Sequence, residues 1–127
     1  MKVFWVESAD HSEDWFVVAQ DIEVAVNLFA SEMGYDIFKD NIVASEVCPL
    51  AKNLTYPHAD FLDNEGVIAC GGEFLDFHDE DLLEFFDEDF IRAVAGETRI
   101  VRIGDRVYME GNIMRVALQM EGKLKLC

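Results

Sequence analysis

At 127 residues the chain has room for one ordinary domain and not for two. Hydrophobic residues make up 51% of it, with ten Phe, two Trp and three Tyr, and that much apolar surface argues against global disorder because its burial offsets the entropy of ordering. The net charge of −16 argues equally against nucleic-acid binding through a basic stripe, since counterion release needs clustered Lys and Arg.

Met1-Lys2 leads directly into Val3-Phe4-Trp5-Val6, so a first strand is expected where a charged and then apolar signal segment would otherwise stand. Val3–Glu7 and Trp15–Ala19 are apolar, β-branched and aromatic runs separated by the polar Ser8–Asp14, which predicts an antiparallel hairpin. Asp21 is placed to cap a helix whose apolar face is Ile22, Ala25, Val26, Phe29 and Met33, with Gly34 as its terminator. A third strand is predicted around Asn41–Val47, ended by Pro49. Pro57, Asn64, Gly66, Gly71 and Gly72 punctuate residues 49–72, which read mostly as loop, with Gly66–Cys70 as a short strand or helical turn.

From Asp79 to about Ala95 a second helix is predicted, with Leu82, Leu83, Phe86, Phe90, Ala93 and Val94 as a broad apolar stripe and Gly96 as its stop. Thr98–Ile103 and Arg106–Glu110 flank Gly104-Asp105, a two-residue connection favoured by tight hairpins, and Ile113–Gln119 would complete a three-stranded meander. The tail ending Lys123-Leu124-Lys125-Leu126-Cys127 would add a short edge strand. The expected order is β-β-α-β-loop-α-β-β-β. Residues 1–127 are thus expected to form a single α+β domain, two helices packed on a mostly antiparallel sheet. No uninterrupted apolar run has membrane-spanning length, and a cytoplasmic protein is expected.

Charge is distributed unevenly along this order. Residues 1–52 hold ten acids against three bases, residues 53–91 hold twelve acids and no Lys or Arg, and residues 92–127 hold four acids against seven bases. Nine of the twelve crowd into the seventeen residues Glu73–Asp89. On a helix, carboxylates three and four residues apart project side by side, with about 5–6 Å between their Cβ atoms. Such a row offers fixed negative points to a groove lined with Lys and Arg. A merely solvated helix face normally mixes signs, because like charges at these spacings each cost a few tenths of a kcal/mol. Both readings of the acidic segment stand at this level. On the functional one, Glu73, Asp76, Asp79, Glu80, Asp81, Glu84, Asp87 and Glu88 form a partner-binding surface. Phe85 joins them, because by helical phase it falls beside the acids, as do Phe77 and Phe74, and an exposed aromatic within a charged rim is a common anchor; the alternative packs Phe85 under a loop.

Other constellations are weaker. His58, Asp60, Asp63 and Glu65 form a loop cluster, and His11, Glu13 and Asp14 another, but neither has EF-hand or zinc spacing, and no metal or cofactor is expected. Cys48, Cys70 and Cys127 are an odd number without CxxC spacing, so reduced thiols are expected. Cys70 with His58 lacks the electropositive helix start and oriented base that a thiol nucleophile needs, and an enzyme is not expected. Arg99, Arg106 and Arg115 are placed either to neutralise the acidic helix from within or to leave a dipolar molecule that self-associates head to tail as a homodimer.

In size, acidity and lack of motifs, the chain resembles small phage- or mobile-element-encoded inhibitors of nucleic-acid-handling machines, among them anti-CRISPR and anti-restriction proteins. Bacterial immunity proteins and antitoxins that neutralise basic nucleases look similar on the same grounds. The resemblance implies a protein partner that is basic and itself binds nucleic acid, with no direct contact between this chain and nucleic acid or membrane. A small enzyme or ligand-binding domain using the 57–72 loop is the alternative of a different class.

Overall fold

The computed structural model describes residues 1–9, 13–75 and 99–110. Strands β1 (Lys2–Glu7) and β2 (Trp15–Ala19) pair antiparallel with Trp5 opposite Phe16, as the apolar runs predict. Neither strand alternates between buried and exposed positions, because both faces of the sheet they occupy are covered. Phe4, Val6, Val17 and Ala19 meet helix α1 (Ile22–Met33) through Ala25 and Phe29. Val3, Trp5, Phe16 and Val18 pack on the other side against Leu62, Val67 and Val101. Between Ser8 and Asp14 the connection is closed by side chains: Asp14 Oδ1 accepts from the Ser8 N–H at 3.0 Å, and Ser8 Oγ accepts from the Glu13 N–H at 3.3 Å. Asp14, grouped by sequence with His11 and Glu13, is thus a buried structural carboxylate, while His11 lies outside the described residues.

The ends of α1 follow local rules. Asp21 Oδ1 accepts from the Val24 N–H at 2.9 Å, satisfying a donor that the first helical turn leaves without a partner. Gly34 adopts φ 78, a left-handed conformation that needs no Cβ accommodated, and its N–H donates to the Ala30 carbonyl. The buried face is narrower than the periodicity predicts. Ala25, Phe29 and Ala30 are buried, Val26 is half-buried, and Ile22 and Met33 are exposed, because only the middle turns lie over β1, β2 and β3. Replacing Asp21 by Ala is expected to lower unfolding free energy by about 1 kcal/mol in urea titrations, with Asp21→Asn close to wild type.

Strand β3 (Val43–Pro49) pairs with β1 and forms the edge of a four-stranded sheet ordered β3-β1-β2-β4. It runs two residues past the predicted end and includes Pro49, which an edge strand tolerates because it lacks an obligatory outward donor. The segment predicted mostly as loop holds β4 (Asp60–Phe61) and α2 (Asn64–Ala69), the latter overlapping the short strand or helical turn expected at Gly66–Cys70, and β5 (Gly72–Leu75) begins at its end. Two to six residues are too few to establish a period, so the strands were hidden and the helical turn could not be told from a strand.

β6 (Ile100–Ile103) and β7 (Arg106–Met109) form the predicted hairpin around Gly104-Asp105. Their neighbour is β5, which pairs antiparallel with β6, giving a second sheet ordered β5-β6-β7. The protein is α+β, as expected, but with two antiparallel sheets in place of one, and with α2 as the second described helix. The helix predicted from Asp79 to Ala95, the strand at Ile113–Gln119 and the tail lie outside the described residues.

Candidate functional site

The segment from Leu54 to Gly66 folds back on the β1–β2 hairpin. The Trp15 indole Nε1 donates to the Leu62 carbonyl at 2.7 Å, and the Leu62 N–H donates to the Phe16 carbonyl at 3.1 Å. Two bonds to consecutive residues of β2 thereby pin a stretch some forty-seven positions away in sequence. Asp63 then caps α2, its Oδ1 accepting from the Gly66 N–H at 2.7 Å, and Asp60 Oδ1 accepts from the Phe61 N–H at 2.8 Å. The His58 Nδ1–H donates to the Ala59 carbonyl at 3.1 Å.

These constraints shape a cleft of about 520 Å³ with Tyr56, His58, Asp60, Phe61, Asp63 and Glu65 among its walls. Among the described residues no Lys or Arg lines it. Burial, followed by the charge of Asp63, raises the pKa of the Tyr56 hydroxyl, and a hydrogen bond with the Asp63 backbone opposes that shift. A cleft with two aromatic walls and a carboxylate rim suits a cation carrying an apolar stem, since ring faces and carboxylates both attract positive charge. Three carboxylates and a histidine share this stretch of chain, yet among the described residues no three His, Cys, Asp or Glu side chains are grouped to hold a metal ion. Cys70 does not line the cleft beside His58; it packs against the central apolar cluster, as Cys48 does.

The acids singled out by sequence divide sharply. Glu73 lies on β5 directly across from Arg102 on β6, and the two form a cross-strand ion pair. That acid is thus answered within the molecule by a cation on the neighbouring strand. Phe74, expected beside the acids, instead packs half-buried against the central cluster. Asp76, Asp79, Glu80, Asp81, Glu84, Phe85, Asp87 and Glu88 lie outside the described residues.

Basic side chains of the second sheet have partners of their own. Arg99 reaches Glu110 at 2.6 Å, hydrogen-bonds Asn64, and sets its guanidinium 3.9 Å from the centre of the Trp15 ring. Burial raises the pKa of the Tyr108 hydroxyl, and the positive charge of Arg106 opposes that shift. Lys2 on β1 pairs with Glu46 on β3 at 2.8 Å.

Compared with protein-family models, with curated proteins and with solved structures, the chain matches none. Its function therefore has to be argued from its own surface. No helix among the described residues is long and apolar enough to cross a membrane. One exposed feature escaped the sequence reading: Phe38, 92% exposed, stands on a turn closed by carboxylates. Asp36 Oδ1 accepts from the Phe38 N–H at 2.9 Å, and Asp40 Oδ2 accepts from the Asp36 N–H at 2.7 Å. An aromatic held out among acids was expected at Phe85; among the described residues Phe38 has that arrangement. Only the run Asp36-Ile37-Phe38-Lys39-Asp40 hinted at it, and burial had to be known before the ring was seen to be free.

Proposed function

We propose that this protein is a non-enzymatic acidic inhibitor that occludes a basic groove of a nucleic-acid-binding protein, in the manner of anti-defence proteins that mimic nucleic-acid charge. The observation that carries the reading is the stretch from Asn53 to Ile91, twelve carboxylates without one Lys or Arg. Support comes from Lys2 and Arg99, whose ion pairs are with Glu46 and Glu110, both outside that stretch, while Arg102 answers one of its acids, Glu73. Phe38 on its acidic turn supplies an exposed apolar anchor of the kind interfaces centre on. Opposed charge gives such a complex a fast encounter and a steep dependence on ionic strength.

The test is capture of basic nucleic-acid-binding proteins from a host lysate at low and at high salt, followed by competition with duplex DNA. Capture should fall with salt, and DNA should compete for the captured protein. The Glu84→Gln, Asp87→Asn, Glu88→Gln triple variant should associate about tenfold more slowly at low salt while unfolding at the same denaturant concentration. A triple variant that inhibits at wild-type strength would make the acidic segment irrelevant.

An immunity protein or antitoxin bound to one basic toxin uses the same chemistry with a different partner. The cleft beside Tyr56 and Phe61 favours a second reading, a ligand-binding domain, and capture that ignores salt would point there.

A further inference from the structure

We propose that the cleft built by residues 54–66 takes the side chain of an arginine from a basic protein, with the guanidinium meeting ring faces and carboxylates together. Its volume of about 520 Å³ lies within the range of small-ligand sites, and Tyr56, Phe61, Asp60, Asp63 and Glu65 are among its walls. The hydrogen bonds between Leu62 and both Trp15 and Phe16 hold that stretch in place, so the cleft is formed before a ligand arrives. Its carboxylates retain acceptor capacity. Asp60 and Asp63 each accept one backbone N–H through Oδ1, from Phe61 and Gly66. No described Lys or Arg forms an ion pair with Asp60, Asp63 or Glu65.

The molecule already holds one guanidinium with the same two kinds of group. Arg99 lies 3.9 Å from the centre of the Trp15 ring while its Nη2 reaches Glu110 at 2.6 Å. The cleft combines rings and carboxylates in the same way, and among the described residues no Lys or Arg lines it. A planar guanidinium stacks on one wall and donates a fork of N–H groups to a carboxylate on another. A compact ammonium is more strongly hydrated and gives up more water to lie against a ring, which favours arginine over lysine. The arginine stem is apolar and suits the ring surfaces of Tyr56 and Phe61. This inference rests on the reading that the partner is a basic protein, but it uses residues separate from Glu84, Asp87 and Glu88.

The experiment is titration of the isotope-labelled full chain with Nα-acetyl-arginine N-methylamide, followed through its backbone amide chemical shifts. The largest shifts should fall within residues 54–66 and saturate with a Kd on the order of 1 mM, as one cation–π contact and one charge-assisted pair allow. The citrulline counterpart, which carries a neutral urea in place of the guanidinium, should bind about tenfold more weakly, and the lysine counterpart about threefold more weakly. Glu65→Gln and Tyr56→Leu should each weaken the arginine probe about threefold. The Glu84→Gln, Asp87→Asn, Glu88→Gln variant should bind the probe as the wild type does, so failure of this site and failure of the acidic-segment reading give different results. The proposal is overturned if the shifts do not saturate, if they concentrate outside residues 54–66, or if the citrulline or lysine probe binds as tightly as arginine. Agmatine binding tenfold tighter than the capped residue would also overturn it, giving the cleft a free guanidine in place of a protein side chain. Titration of the wild-type chain decides each of these outcomes, whether or not the variants fold.

Discussion

Trp15→Ala is expected to cost about 5 kcal/mol of unfolding free energy, a large share of the roughly 5–15 kcal/mol available to a domain of this kind. Trp15 is 8% exposed and packs edge-on against Trp5 at 6.3 Å and Phe16 at 5.2 Å between ring centres. Truncating a buried tryptophan removes the transfer free energy of the ring and leaves a cavity, about 3–5 kcal/mol together. Two further losses add to that. The Leu62 carbonyl loses the indole donor at 2.7 Å, and Arg99 loses the ring beneath its guanidinium. Equilibrium guanidinium unfolding followed by far-ultraviolet circular dichroism measures the difference. Trp15→Phe keeps most of the ring and removes the donor, so it should lie near 2 kcal/mol, on the order of an unsatisfied buried carbonyl plus a smaller cavity. A loss below about 1 kcal/mol for Trp15→Ala would mean that the indole is not the post on which the second sheet and the 54–66 segment rest.

Gly72→Ala is expected to cost about 2–3 kcal/mol, far more than an exposed strand glycine would, because of where α2 crosses β5. A Cβ on Gly72 would stand 2.5 Å from Val67 Cγ1 and 2.7 Å from the Val67 carbonyl oxygen. The methyl group can rotate or be removed. The carbonyl cannot, since it belongs to the backbone of a helix whose start is held by the Asp63 cap. Relief therefore requires α2 to shift as a body away from β5. The informative comparison is Gly72→Ala with Val67→Ala: the double variant should recover none of the loss, because the backbone clash survives and a cavity is added. Recovery to wild-type stability in chemical unfolding would show that the side chain alone forces the close approach.

Much of the local structure was legible in the residues. The hairpin of β1 and β2, the cap at Asp21, the left-handed terminator at Gly34 and the turn at Gly104-Asp105 all obey rules acting within a few positions. The candidate site was less legible. His58, Asp60, Asp63 and Glu65 were visible as a cluster, but the aromatic walls Tyr56 and Phe61 and the anchoring Trp15 bond were not. A two-residue β4 and a six-residue α2 leave no periodic trace, and nothing in residues 54–66 announces that their partner is β2.

Taken by itself, the amino-acid sequence determined the α+β character, the positions of the caps and turns, and the acid imbalance between residues 53 and 91. Those follow from chain-local chemistry and from counting charge. Tertiary structure alone decided that the strands form two sheets, that α1 buries only its middle turns, that Glu73 is answered by Arg102, and that Cys48 and Cys70 pack against one apolar cluster. Each of these joins groups far apart along the chain, and such pairings are settled by which apolar faces can be covered at once, a condition on the whole packed molecule that no short window of residues contains.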